Sequence, residues 1–296
     1  MNARPARPID HCVLPVESLE TARERYTALG FTMAPRADHP FGTANACIYF
    51  ADNTYLEPLA VVDAELAAET ALKRNVFAVR NAAYRFRNGP EGFSALVMGT
   101  ANARADHRRF VYSGLSAGRQ LAFSRPFTMP DGTVSEASFR LAFAADPRSP
   151  DAFFFTCERV KAPPAGRGAL ERHENGVTGI SRVVMSEPYP AAFRLLLEEL
   201  ARSRQTREHA HSIDVEAANG VLSALDGNAC KAQFGIDIGR ERGLRLRAIV
   251  FRVGDLAAAA RLLGDRGVAF DDREGRIVVQ AAPGQGAVLA FEEEGQ

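Results

Sequence analysis

The chain has 296 residues, 46% of them hydrophobic and 24% charged, with 36 basic and 36 acidic side chains. A formal net charge of zero gives no electrostatic basis for binding nucleic acid or an anionic membrane surface, and neither is expected as a partner. There is no run of about 18 apolar residues, and the opening MNARPARPID lacks the apolar core of a signal peptide, so the cytoplasm is the expected compartment.

The length suggests roughly two domains. Ile9–Val16 reads as a strand, and Ser18 as the N-cap of a helix to Leu29 with Leu19, Ala22, Tyr26 and Leu29 on one face. Gly30 ends it. Strands are predicted near Phe31–Ala34, Ala44–Phe50 and Thr54–Val61. The same order recurs three times. A second unit has the strand Ser94–Gly99, a polar helix Ala103–Leu115, and strands Leu121–Phe127, Ser135–Phe143 and Ala152–Cys157, with a turn at Pro130–Gly132. Lys161–Gly168, rich in proline, glycine and charge, reads as an interdomain linker. A third unit has the strand Gly179–Met185, a helix from Pro190 to about Arg202, and strands Glu208–Val215, Gly220–Leu225 and Ala229–Phe234, with Asp226-Gly227 as a hairpin signal. A fourth has the strand Leu244–Val253, a helix from Asp255 to about Asp265, and strands Val268–Phe270, Arg276–Val279 and Ala287–Phe291. The prediction is an α+β protein of four βαβββ units. They group as two domains, residues 1–160 and 169–296, with mixed sheets curling around a cleft and helices outside.

His11 in the first strand and Glu57 in the last strand of unit one are ionisable groups in apolar strands. Unpaired burial costs on the order of several kcal/mol, so a metal, a substrate or each other is the expected partner. Histidine with carboxylate suits Mn, Fe, Co, Ni or Zn, although a catalytic metal usually has a third protein ligand. The plain alternative is a neutral histidine hydrogen-bonded to the glutamate. His39, before Gly42-Thr43, is either a third ligand or substrate hydrogen-bonder at the cleft mouth, or a solvated loop residue. Asn45 and Tyr55 could orient a substrate carbonyl or hydroxyl. Phe153–Phe155 suit an apolar cup, with Phe155 a substrate-contacting candidate.

Strand alternation lets only one of Cys157 and Glu158 face that cleft. The four cysteines, Cys12, Cys47, Cys157 and Cys230, are widely spaced without CxxC and are expected as buried thiols. His107 is expected in solvent. His173 is expected either to cap the next strand or to reach across the domain interface. His209 and His211 are expected on one strand face. Arg85, Arg87, Arg108 and Arg109 could bind an anion. With no P-loop, GxGxxG after a strand, or GxSxG, no organic cofactor is evident.

The segments DHCVLPVESLETARERYTALGF and HPFGTANACIYFADNTYLEPLAV resemble the opening unit of the vicinal oxygen chelate superfamily. That superfamily includes glyoxalase I, bleomycin-resistance proteins and extradiol ring-cleaving dioxygenases. The second segment is similar to the glyoxalase-like subgroup in its H…GT-N…YLE pattern. The resemblance is sharp over residues 9–61, fair over 93–186 and architectural beyond. It implies a cup formed by paired units, with metal ligands on their first and last strands. Carried over, these are His11 and Glu57, holding a divalent Zn, Fe, Mn or Ni. Unit two departs from the pattern: Ala95 or a neighbour stands where a first-strand ligand would sit, and Cys157 or Glu158 near the last-strand position. Units three and four carry Arg182 and Arg247 in place of strand histidines. The resemblance therefore implies a metal-dependent lyase, isomerase or ring-opening enzyme acting on a small substrate with vicinal oxygens, with Glu57 doubling as general base. The missing ligands favour the other branch, a non-catalytic small-molecule binding protein like the bleomycin-resistance relatives. A homodimer is compatible with the resemblance and is not decided by the sequence.

Overall fold

The computed structural model describes residues 5–128, 134–161 and 167–295. The turn expected at Pro130–Gly132, and residues 162–166 of the expected linker, lie outside them. The first half contains β1 (Ile9–Pro15), α1 (Leu19–Ala28), β2 (Ala37–Asp38), β3 (Thr43–Asn45), β4 (Ile48–Tyr49) and β5 (Tyr55–Val61). After α2 (Ala64–Leu72) and α3 (Val76–Asn88) come β6 (Ala95–Gly99), α4 (Ala103–Tyr112), β7 (Leu121–Thr128), β8 (Val134–Ala144) and β9 (Phe153–Lys161). The second half contains β10 (Val177–Ser186), α5 (Arg194–Ala201), β11 (Thr206–His209), β12 (Ser212–Glu216), β13 (Val221–Leu225) and α6 (Gly227–Phe234). It ends with β14 (Arg245–Val253), α7 (Leu256–Asp265), β15 (Asp271–Arg273), β16 (Arg276–Val279) and β17 (Val288–Glu293). Among the described residues no helix is long and apolar enough to cross a membrane.

Two curled mixed sheets result. The first runs β2-β3-β5-β1-β6-β9-β8-β7, with β4 paired to β5, and the second runs β11-β12-β13-β10-β14-β17-β16-β15. Both follow one plan. The first strand of each unit lies parallel to its last, and two units join by antiparallel pairing of their first strands, β1 with β6 and β10 with β14. The α+β fold of repeated βαβββ units is therefore as the sequence indicated.

Several local expectations fail for identifiable reasons. Phe31–Ala34 is buried but is not a strand; the short strand forms further on, at β2. Similarly, Val268–Phe270 gives way to β15. Glu208–Val215 is a hairpin, β11 and β12, that turns at Ala210-His211. His209 and His211 therefore do not share a strand face, and His211 instead pairs with Asp226 at 2.7 Å. Ala229–Phe234 is helical: the Asp226 side chain accepts from the Ala229 amide as an N-cap, and Gly235 closes the helix in the left-handed region. The Asp-Gly pair thus starts a helix where a hairpin was expected. Helices α2 and α3, capped by Asp63 and Asn75, were not anticipated.

The two halves share one core. Phe31 of the first half packs edge-on against Phe251 of the second at 5.4 Å between centroids. His173 does reach across: its Nδ1 accepts from the Thr32 amide (3.0 Å), and its Nε2 lies 2.9 Å from the Tyr49 carbonyl, to which it donates. Arg7 is wholly enclosed. Its guanidinium pairs with Asp106 of α4 and donates to the carbonyls of Glu199 (2.7 Å) and Leu200 (2.8 Å) in the last turn of α5. Those carbonyls have no partner within their own helix, so the arginine caps it from outside.

Candidate functional site

The first sheet curls into a cup. Alternate residues of its strands share the inner face: Tyr55 and Glu57 from β5, Phe123 and Arg125 from β7, Phe139 and Leu141 from β8, Phe155 and Cys157 from β9. β1 adds His11 and β3 adds Asn45. His39 and Phe41 enter from the β2–β3 connection, and α3 supplies Phe77. About 440 Å³ of non-atom space, the solvent at its open mouth included, lies among them. The walls are aromatic, and the polar groups gather at one end.

Glu57 is the centre of that end. Its Oε2 lies 3.3 Å from His11 Nε2 and its Oε1 lies 3.6 Å from His39 Nε2. Asn45 Nδ2 donates to Oε1 at 2.6 Å and lies 3.3 Å from His39 Nε2. Each histidine is fixed on its far side, His11 Nδ1 by Asp10 Oδ1 at 2.6 Å and His39 Nδ1 by Thr43 Oγ1 at 3.0 Å. Neighbours in a strand should face opposite ways, so the contact between Asp10 and His11 requires an irregular backbone. The β1/β6 register slips between Ile9 and His11, leaving Asp10 as the extra residue of a bulge. Arg159 pairs with Asp10 at 2.9 Å and lies 5.7 Å from the ring centre of Tyr55. Tyr55 in turn stacks on His11 at 4.3 Å.

The electrostatics divide the two histidines. Burial opposes charge on His11, but Asp10 and Glu57 on either side hold its pKa above the ordinary histidine value. Burial would also raise Glu57, yet His11, His39 and Asn45 together bring it down to about 2. His39 is pushed down to about 4, chiefly by burial, and is neutral near pH 7. With Asn45 donating toward Nε2, the proton of His39 sits on Nδ1 and is given to Thr43. Burial pushes the Cys157 thiol well above its ordinary value, so it lines the cup as a neutral group. If Asp10 supports the charge on His11, Asp10→Asn lowers the His11 pKa. An NMR titration of the imidazole protons measures this, and an unchanged midpoint would contradict the assignment.

The structure thus brings together His11, His39, Asn45, Tyr55, Glu57 and Phe155. His39 is not the solvated loop residue of the plain alternative. Of the pair Cys157 and Glu158, the cysteine faces the cup. Glu158 turns away to Arg140 and to the amide of Ala103 at the start of α4. Val97 is the β6 residue opposite His11, so the first strand of unit two offers no ligand at that position. Arg85, Arg87, Arg108 and Arg109 do not line the cup. His107 is half-buried on α4, not solvated. The sequence reading missed Asp10, Thr43, Arg125 and Arg159. Asp10 stands beside His11, but alternation assigned it to the opposite face; Arg125 and Arg159 carry no local signal.

A metal can be tested against these donors. Two ligands of a tetrahedral ion stand about 3.3 Å apart given metal–ligand bonds of about 2.0–2.2 Å. The His11–Glu57 and His39–Glu57 separations of 3.3 and 3.6 Å match that spacing pairwise. A carboxylate on the far nitrogen of His11 is the usual support of a ligating histidine. Among the described residues, however, no group of three or more His, Cys, Asp or Glu side chains is arranged to hold an ion. The donor chemistry fits, while the convergence reaches two ligands at a time.

The second sheet offers a contrast. Its β10/β14 register slips between Ile180 and Arg182 as β1/β6 slips between Ile9 and His11. By that register Arg182 occupies the place of His11, and Ser223 that of Glu57. Arg182 donates to Ser223 Oγ (2.9 Å) and Asp214 Oδ1 (3.2 Å). Cys230 and Phe234 of α6 pack on the same face of that sheet against Val184 and Val250. The equivalent position is filled by the chain itself.

Paired units, a shared sheet plan and a histidine–carboxylate cup define a protein of the vicinal oxygen chelate class. The sequence profile of the glyoxalase-like domain family matches residues 9–201, and the chain belongs to that family. Similar solved structures include a hypothetical protein from Staphylococcus aureus (TM-score 0.67, 13% identity, 97% of this chain and 99% of that one). They also include a mutant of 4-hydroxymandelate synthase from Streptomyces coelicolor (TM-score 0.60, 15% identity, 98% and 93%). A third is the Mn(II)-bound glyoxalase from Novosphingobium aromaticivorans (TM-score 0.55, 9% identity, 98% and 84%). At these identities the likeness concerns the fold. No curated protein matches the sequence.

Proposed function

We propose that the cup is the active site of a divalent-metal-dependent enzyme of the lyase, isomerase or ring-opening kind. Its substrate would be small and carry adjacent oxygens. The observation that carries this reading is the approach of His11 Nε2 and His39 Nε2 to the two oxygens of one buried carboxylate, each imidazole braced from behind. His11 and Glu57 would hold the ion with His39 beside them, and as a Lewis acid it would polarise a substrate oxygen. The Mn(II)-bound glyoxalase among the fold neighbours supports the choice of a divalent metal.

The chain's own groups do the rest. Asn45 and Tyr55 orient the substrate, and the phenylalanine walls, Phe155 among them, exclude water. Glu57 is the base nearest the polar end. While His11 is charged, Glu57 is held at about 2 and is a weak base. With the ion held, His11 carries no proton toward Glu57, and Glu57 would act as general base only by leaving the ion.

A second reading is favoured by the same pair. Asp10, His11 and Glu57 already satisfy one another as ions. Such a floor needs no metal, and the cup would then sequester a ligand without turnover. Elemental analysis separates the readings. Native protein, His11→Ala and Glu57→Ala are each incubated with Mn, Fe, Ni and Zn and desalted. A single ion per native chain, lost in both variants, supports the enzyme. An apo native protein after every incubation leaves the sequestering protein.

A further inference from the structure

We propose that Arg125 anchors a carboxylate, so that the cup takes a small organic acid with a flat apolar body. The inference rests on the cup being a ligand site and does not require the metal.

Charge at the polar end is nearly self-contained. Asp10 is paired with His11 and Arg159, and Glu57 with His11 and Asn45. Arg125 of β7, next to Asn45, is the remainder. Among the described residues its guanidinium has one acceptor, Asn45 Oδ1 at 3.4 Å, and otherwise lies 5.9 Å from the centre of the Phe139 ring. Among the described residues no carboxylate lies within ion-pair reach of it. By contrast, Arg140 and Arg159 of the same sheet are paired, with Glu158 and Asp10. Arg125 is half-buried, so a ligand that covers it takes water from its guanidinium, and an anion on that ligand offsets the cost.

The shape of the anion follows from the donor. Guanidinium presents a planar fork that matches the two oxygens of a carboxylate. The neighbours of Arg125 are rings: Phe123, two residues away on β7, stacks on Phe139 at 5.2 Å and 28°, and Phe41 closes on Phe123 at 5.4 Å. These ring surfaces offer a flat apolar group a place beside the arginine.

The test compares phenylacetate with its neutral amide, phenylacetamide, by titration calorimetry on native protein, Arg125→Gln and Arg125→Lys, with 2-naphthoate and benzoate as further acids. Native protein should favour phenylacetate over the amide by about 10-fold or more, the scale of a charge-assisted pair. Arg125→Gln should lose that preference with an unchanged circular dichroism spectrum, and Arg125→Lys should keep part of it. Equal binding of acid and amide, a preference that survives in Arg125→Gln, or failure of all three acids to bind overturns the proposal. Metal content is read on the same samples. Metal without acid preference overturns the anchor alone; acid preference without metal overturns the metalloenzyme reading alone.

Discussion

Replacing Arg7 with alanine is expected to destabilise the folded protein by about 3–5 kcal/mol, the usual cost of stranding a buried charge. Arg7 is 0% exposed and Asp106 is 3% exposed, so the carboxylate left behind cannot recover water without opening the structure. The same substitution orphans the carbonyls of Glu199 and Leu200 at the end of α5, each with a desolvation penalty of its own. Urea denaturation measures the loss, and a change below about 1 kcal/mol would show that the pair is hydrated in solution. The double variant Arg7→Met/Asp106→Leu separates the two contributions. It should recover the part due to the stranded charge and leave the part due to the helix carbonyls.

The second large effect concerns Glu57 and acid. Its folded-state pKa of about 2 lies below the ordinary 4.5. A depressed carboxylate stabilises the fold above its unfolded pKa, and that stability is lost as pH falls from 4.5 through about 2. The shift corresponds to on the order of 3 kcal/mol at neutral pH. Other carboxylates titrate in the same window, so the measurement is the difference between native protein and Glu57→Gln. That difference should shrink steadily between pH 5 and pH 2, and a difference independent of pH would refute the coupling. His11 has the opposite sign. Its raised pKa gives stability that is fully present below the ordinary histidine value of 6.5 and fades as pH rises through the folded value.

The strand–helix–strand order was legible because its signals are local. Ser18 does cap α1, accepting from the Thr21 amide, and the apolar stripe Leu19, Ala22 and Tyr26 is buried as its spacing implied. His11 and Glu57 could be paired from sequence because both stand out in apolar strands. What resisted reading depends on distant partners. Asp10 joins His11 only because β6 imposes a bulge, and β6 lies over eighty residues further along the chain. Arg125 matters only once β7 has curled round to face β3. Asp226-Gly227 was misjudged because an Asp before a Gly serves a turn or an N-cap equally well, and the buried face of α6 decides between them. Phe77 reached the cup on a helix that the repeat pattern gave no reason to expect.

Arg182 in the place of His11 has a bearing on how this chain would titrate. One half carries a side chain where the other half has an open cup, so two like-built sheets do not make two equal receptors. A monomer should therefore saturate with one equivalent and follow a plain hyperbola, with no homotropic cooperativity arising within the chain. The covalently attached guanidinium is a resident that no amount of free ligand can dilute out.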